Sequence, residues 1–170
     1  MRLDKSNREI YDLKASSDEF VKYLLYEFNW FSGVADSVYR NVLPLLPNYH
    51  FAPRENHAIS MAFGARLAGL KPAILMQNSG LGLCIDSILG TFNLYQEGCV
   101  IFISNRGKLR WEEIQHQDWG SITEDMLSSL EIPFFSFDKY GLTCIKDASK
   151  VAFEDNKVSV VLIDRGNINE

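Results

Sequence analysis

Pro53-Arg54-Glu55-Asn56 opens a run that keeps helical patterning to Gly69; Ala73-Ile74-Leu75-Met76 follows, and then Gln77-Asn78-Ser79-Gly80-Leu81-Gly82. This order decides the fold. A helix leading into a short apolar strand whose end opens into a turn is the repeating unit of an α/β protein. The helix begins with a carboxylate, Glu55, at its positive end, and Gly80 and Gly82 let backbone approach a bulky ligand. That is the layout of a cofactor site.

The alternation extends in both directions. Upstream, Ser16 with Glu19 has the form of a capping box before Phe20, Val21, Leu24, Leu25 and Phe28 at helical spacing. Trp30-Phe31 with Val34 reads as a strand, Ala35-Asp36-Ser37 as the entry to a helix carrying Val38, Val42 and Leu45, and Tyr49-His50-Phe51-Ala52 as a second strand. The Glu55 helix offers Ile59, Ala62, Phe63 and Leu67 to a core. Downstream, Leu83, Ile85, Ile88, Leu89 and Phe92 predict a helix, and residues 99–104 form a continuous apolar run suited to a strand buried on both faces. Residues 105–120 read as a long polar loop, 122–130 as a helix, 134–137 as a strand, 141–153 as a helix and 158–163 as the last strand. The expectation is an α/β, doubly wound, mostly parallel sheet of about six strands with helices on both faces. Residues 1–15 are expected to be a polar arm able to pack on a partner, and 16–170 a single domain.

Composition bounds the function. The 170 residues are 46% hydrophobic and 23% charged, which is globular. A net charge of −5 without a basic run argues against nucleic acid and membrane surfaces as partners. The start of the chain has no apolar h-region and no segment approaches the length of a membrane-spanning helix, so a cytoplasmic location is expected. Cys84, Cys99 and Cys144 are odd in number, lack CxxC spacing and sit in apolar stretches, which points to packing and to no metal site.

Ligands of such sheets bind beyond the carboxyl ends of the strands, where four segments fall: Asp36-Ser37, Arg54-Glu55, 77–82 and 106–116. Taken singly, each has an ordinary explanation. Glu55 can serve only the helix dipole, Asp36-Ser37 can be an N-cap pair, Asn78-Ser79-Gly80 a plain turn and His116 a solvated histidine. The functional reading of Glu55 is a carboxyl group that donates to, or shares a proton with, a ring nitrogen of a heterocycle. Arg106, Lys108 and Arg110 form a local basic group that would suit an anionic substrate.

Read together, Gly33-Val34-Ala35-Asp36-Ser37, Glu55-Asn56-His57-Ala58, Gln77-Asn78-Ser79-Gly80-Leu81-Gly82, Arg106-Gly107 and Gln115-His116, with Gly120 and Ile122-Thr123, resemble the phosphonopyruvate and sulfopyruvate decarboxylases, which use thiamine diphosphate. The matches span residues 33–123. The resemblance implies a thiamine diphosphate-binding fold of the pyrimidine-binding (PYR) type. Glu55 would hydrogen-bond the aminopyrimidine ring and promote loss of the thiazolium proton, so that carbon dioxide leaves a 2-oxo acid and an aldehyde is released. It also implies cofactor contacts for Gln77, Asn78, Ser79, Gly80, Leu81 and Gly82. His116 would join Glu55 as a catalytic residue, moving a proton or binding the substrate carboxylate, while Asp36, Ser37, Arg106 and Gln115 would touch the substrate.

No Gly-Asp-Gly occurs in the chain, so the diphosphate and Mg²⁺ are expected to be held by a second chain. The resemblance therefore implies an alpha subunit completed by a beta subunit, in an α2β2 hetero-oligomer. Ile114 stands where the phosphonopyruvate branch tends to have proline, and Lys108-Leu109-Arg110-Trp111 looks like an insertion, which leaves the choice between phosphonopyruvate and sulfopyruvate open. The alternatives are a non-catalytic scaffold or regulatory partner of such an enzyme, or half of a carboligase. Retention of Glu55 and the glycine loop argues against a scaffold.

Overall fold

The computed structural model describes residues 1–169; Glu170, the last residue of the expected 16–170 domain, lies outside them. Helix α1 (Ser17–Glu27) starts at its capping box: the Ser16 hydroxyl accepts from the Glu19 amide, and Glu19 Oε2 accepts from the Ser16 amide at 2.9 Å. The strands that follow are β3 (Trp30–Gly33), β4 (His50–Phe51), β5 (Pro72–Gln77), β6 (Val100–Asn105), β7 (Phe134–Ser136) and β8 (Ser159–Asp164), numbered after a hairpin of β1 (Arg2–Leu3) and β2 (Glu9–Ile10). They form one sheet in the order β4-β3-β5-β6-β8-β7, each adjacent pair parallel. The doubly wound parallel sheet of six strands is as expected.

Side chains alternate between the two faces of a strand, so the continuous apolar runs split into two cores. Leu75, Phe102 and Val161 face α1 and α6 (Thr143–Phe153), packing with Phe20, Leu24 and Ile145. Ile74, Ile101 and Val160 face the other way, against α2 (Glu55–Leu67), α3 (Leu81–Ile88) and α4 (Ile114–Ser129), with Ile59, Cys84 and Leu127. All three cysteines are free and buried in these cores, as packing residues. A four-residue helix, α5 (Phe137–Tyr140), joins β7 to α6. No helix of the described residues is long and apolar enough to cross a membrane.

The structure differs from the sequence reading in several places. The segment carrying Val38, Val42 and Leu45 is two 3₁₀ turns, Ser37–Tyr39 and Leu43–Leu45, because Pro44 has no amide to continue an α-helical ladder. The glycine stretch is not an open loop: Asn78–Gly80 is a 3₁₀ turn that runs directly into α3. Helix α2 buries Ala58, Ile59, Ala62 and Ala65, leaving Leu67 60% exposed. The polar loop expected over 105–120 stops at Glu113, and Gln115 and His116 lie in the first turn of α4.

Residues 1–15, expected as a polar arm, form the β1–β2 hairpin and then run beside residues 165–169. The Tyr11 amide donates to the Arg165 carbonyl at 2.9 Å, the Lys14 amide to Asn167 at 2.8 Å, and Ala15 bridges Ile168.

Candidate active site at the carboxyl rim of the sheet

The four expected segments meet beyond the carboxyl ends of β3, β5 and β6. Gln77, the last residue of β5, donates from Nε2 to Asp36 Oδ2 at 2.8 Å, and its Oε1 accepts from the Ser79 hydroxyl. Arg106, the residue after β6, donates from Nη1 to Ser37 Oγ at 3.1 Å and lies 3.5 Å from Asp36 Oδ2. Asp36 meanwhile caps the turn behind it, Oδ1 accepting from the Val38 amide at 2.9 Å. Ser79, Gln77, Asp36, Ser37 and Arg106 are thus one connected polar chain.

Glu55 is not joined to that chain but lies beside its Ser79 end, against Gly80. It is half-buried in the first turn of α2, whose N-cap, Arg54, supplies no side-chain hydrogen bond. Its carboxylate has no hydrogen bond or ion pair among the described residues. The side chain lies flat against Gly80: a methyl there would fall on Glu55 Cγ and 2.8 Å from Oε1. Gly80 has φ −77°, which any residue adopts, so the glycine is needed for space and not for backbone conformation.

The other residues of the stretch have different tasks. Asn78 is fully buried and its amide is consumed inside the chain, Nδ2 donating to the Arg106 carbonyl at 2.9 Å and to Thr123 Oγ1 at 3.1 Å. It locks the ends of β5 and β6 to α4. Leu81 is a core residue, and exposed Gly82 makes room for Trp119. Gln115 is exposed. His116 is half-buried, with Nε2 3.9 Å from Glu113 Oε2 and Nδ1 buried without a partner among the described residues.

The expected basic group is dispersed. Arg106 is buried and neutralised, Lys108 pairs with Glu124 at 2.7 Å, and Arg110 is exposed. Arg106 Nε meets Glu112 Oε1 at 2.6 Å, and Glu112 Oε2 accepts from the Gly107 amide at 2.7 Å and the Leu109 amide at 3.3 Å. Glu113 stands 3.7 Å from Arg106 Nη2; its own backbone amide, then Arg106 and His116, hold its carboxyl below the usual range.

Over 116 residues the chain is 40% identical to the sulfopyruvate decarboxylase subunit alpha of Methanococcus maripaludis, covering 65% of this chain and 68% of that protein. The corresponding subunit of Methanothermobacter thermautotrophicus is 33% identical over 114 residues, with the same coverage, and that of Methanocaldococcus jannaschii 42% identical over 85 residues, 49% of this chain and 50% of that protein. The chain belongs to the sulfopyruvate decarboxylase alpha subunit family. No family model matches it.

In this member of the sulfopyruvate decarboxylase alpha family, sequence reasoning passed over Glu112 and also Asp164. Asp164 closes β8 beside Asn105, whose Nδ2 donates to Asp164 Oδ1 at 2.8 Å. Burial pushes its carboxyl from the ordinary 3.8 up to about 6, against the pull of Asn105 and Lys108. With the folded-state value raised, this proton stabilises the fold fully below pH 3.8, and the benefit is lost as pH rises through about 6. The loss is on the order of 3 kcal/mol. Asp164→Asn keeps the acceptor for Asn105 and carries no charge, so urea titrations should show it more stable than wild type at pH 7.5, the two converging near pH 4. Parallel stability curves across that range would remove Asp164 as the cause.

Proposed function

We propose that this chain is the pyrimidine-binding half of a two-chain, thiamine diphosphate-dependent decarboxylase that acts on sulfopyruvate and releases carbon dioxide and the corresponding aldehyde. The observation that carries this reading is Glu55: a half-buried carboxylate at a helix start, without a hydrogen-bond or ion-pair partner among the described residues, pressed on a glycine that clears space beside it. A half-buried carboxyl group of this kind costs free energy unless a group outside the chain shares a hydrogen bond with it. A ring nitrogen of the aminopyrimidine, which accepts or shares the proton of such a carboxyl group, is the right partner. The names of the relatives support the substrate and the existence of a second subunit.

When bound, thiamine diphosphate supplies a carbon nucleophile for the 2-oxo group and a sink for the electron pair left by carbon dioxide. Glu55 holds the proton at the pyrimidine ring. Gln77 and Ser79, fixed through Asp36, line the approach to the ring, and Gly80 lets Glu55 lie flat. His116, half-buried with Nδ1 free of any partner among the described residues, hands over the proton that completes the aldehyde, and Arg106, held by its carboxylates, keeps Asp36 and Ser37 in place at the substrate mouth.

The partner subunit supplies the diphosphate and Mg²⁺ contacts. Two outward helical faces suit such a partner. Met61 and Leu67 on α2 are 38% and 60% exposed, and Leu83 and Leu89 on and just after α3 are 45% and 42% exposed. Asp86 is the only exposed charge on those faces between residues 55 and 93. Helical faces so poor in charge are built to be covered. Three buried free thiols fit a reducing, cytoplasmic setting.

The reading is tested by co-producing the chain with its beta subunit and measuring aldehyde release from sulfopyruvate, phosphonopyruvate and pyruvate with Mg²⁺ and thiamine diphosphate. Sulfopyruvate should be preferred, and both chains required. Turnover by this chain alone, or none by a pair that binds the cofactor, overturns it. In the same assembly Gly80→Ala should push the Glu55 carboxylate aside and lower turnover about 10²-fold, with an unchanged circular dichroism spectrum. Wild-type turnover in Gly80→Ala would mean that Glu55 does not work from this position.

A further inference from the structure

Trp111 stands where three distant segments cross. Its indole Nε1 donates to the Glu9 carbonyl at 2.6 Å, and the guanidinium carbons of Arg8 and Arg165 each lie 5.0 Å from the centroid of its ring. Glu9 belongs to β2, and Arg165 follows β8. Those two segments are themselves joined: Arg2 Nη2 donates to the Gly166 carbonyl at 2.8 Å, beside the Tyr11 amide on the Arg165 carbonyl. Trp111 is therefore seated on a platform made by both ends of the sequence.

The next residue is Glu112, which holds Arg106 and the amides of Gly107 and Leu109. Between Asn105 and α4 the chain has one buried apolar side chain, Leu109. Little apolar burial thus fixes this segment: Asn78 and the Gly107–Gly120 contact hold its start, Lys108 pairs with Glu124, and Glu112 and Trp111 hold its end.

We propose that the amino-terminal hairpin is a buttress of the site and that Trp111 is the positioning residue through which it acts. Holding the indole fixes the backbone on which Glu112 stands, and Glu112 in turn aims Arg106 at Asp36 and Ser37. The kinetic consequence rests on the decarboxylase reading above; the mechanical one does not.

Two measurements on the full chain, in complex with its beta subunit, separate these. Hydrogen–deuterium exchange of residues 106–113 should speed up about tenfold or more in Trp111→Ala and less in Trp111→Phe, which keeps the ring for the two arginines and loses only the Glu9 bond. Exchange of β5 and β6 should stay as in wild type. Arg8→Ala, which leaves the loop sequence untouched, should give the same local acceleration in smaller measure. In steady-state assays Trp111→Ala should raise KM for the oxo acid about tenfold while kcat and thiamine diphosphate affinity hold, with Trp111→Phe recovering most of the loss. Unchanged exchange in 106–113 for Trp111→Ala and Arg8→Ala overturns the buttress whatever the enzyme does. Faster exchange with an unchanged KM in an active complex overturns the positioning role. A wild-type complex without turnover would strike the decarboxylase reading alone, and the exchange arm would still decide the buttress.

Discussion

Glu55→Gln in the assembled enzyme should lower turnover by about 10²–10⁴-fold, the span that a positioned acid or base contributes, with melting temperature within a degree or two of wild type. The substitution keeps size and shape and removes only the ionisable oxygen. Because Glu55 makes no hydrogen bond or ion pair among the described residues, no fold contact is lost. The Gln side chain still fits over Gly80. Calorimetric titration should show thiamine diphosphate still binding through the partner's diphosphate contacts, more weakly. Near-normal turnover would reduce Glu55 to a carboxylate that complements a helix dipole, and the proposed chemistry would fall with it.

Arg106→Ala should be the most destabilising single change on the rim, by about 3–5 kcal/mol, the cost of orphaning a buried charge, or on the order of 10 °C in melting temperature. Arg106 is 4% exposed and Glu112, its partner, likewise 4%. Removing it leaves Glu112 with two backbone amides and Asp36 with Gln77 and the Val38 amide. Removing both charges should hurt less than removing one: Arg106→Met with Glu112→Gln keeps an acceptor for the Gly107 amide and should recover at least half the lost stability, measured by urea unfolding. A double variant no better than Arg106→Ala would show that the pair is not the source of the effect. Neither variant should recover activity, since the geometry around Asp36 and Ser37 depends on the guanidinium.

How much of this was legible in the sequence varies with how local the cause is. The Ser16 to Glu19 box marks α1 because both partners lie within one turn. The six strands are legible because apolar runs bounded by turn residues have few other uses. The rim was legible as a set of segments, since a parallel sheet sends all its strand ends to one side. The start of α4 was not. Gln115-His116-Gln117-Asp118 is polar, and Gly120 reads as a breaker, whereas in the fold Gly120 is what lets the helix lie on Gly107. The glycine there serves a backbone contact between residues thirteen apart, which no local pattern encodes. Glu112 failed for a related reason. Glu112 and Glu113 are indistinguishable as sequence, yet the first is buried on Arg106 and the second has a side chain 60% exposed. The apparent basic cluster dissolved with them, because charge counted along the chain ignores which acids fold back.

The sheet order carries a consequence for how the chain is made. Strand β8 lies between β6 and β7, both of which are synthesised before it, and forms the longest parallel pairing in the sheet with β6. Until residues 159–164 emerge, Val100 to Asn105 has one open flank, a fully buried apolar strand in the finished protein. The hairpin at the other end waits on the same event, because its anchors are Arg165 and Gly166. Neither core can therefore close before residues 159–164 emerge, and until then the nascent chain exposes adhesive strand edges that chaperones recognise. Ribosome-stalled chains ending before residue 159 should be protease-sensitive throughout, and chains released beyond residue 164 protected.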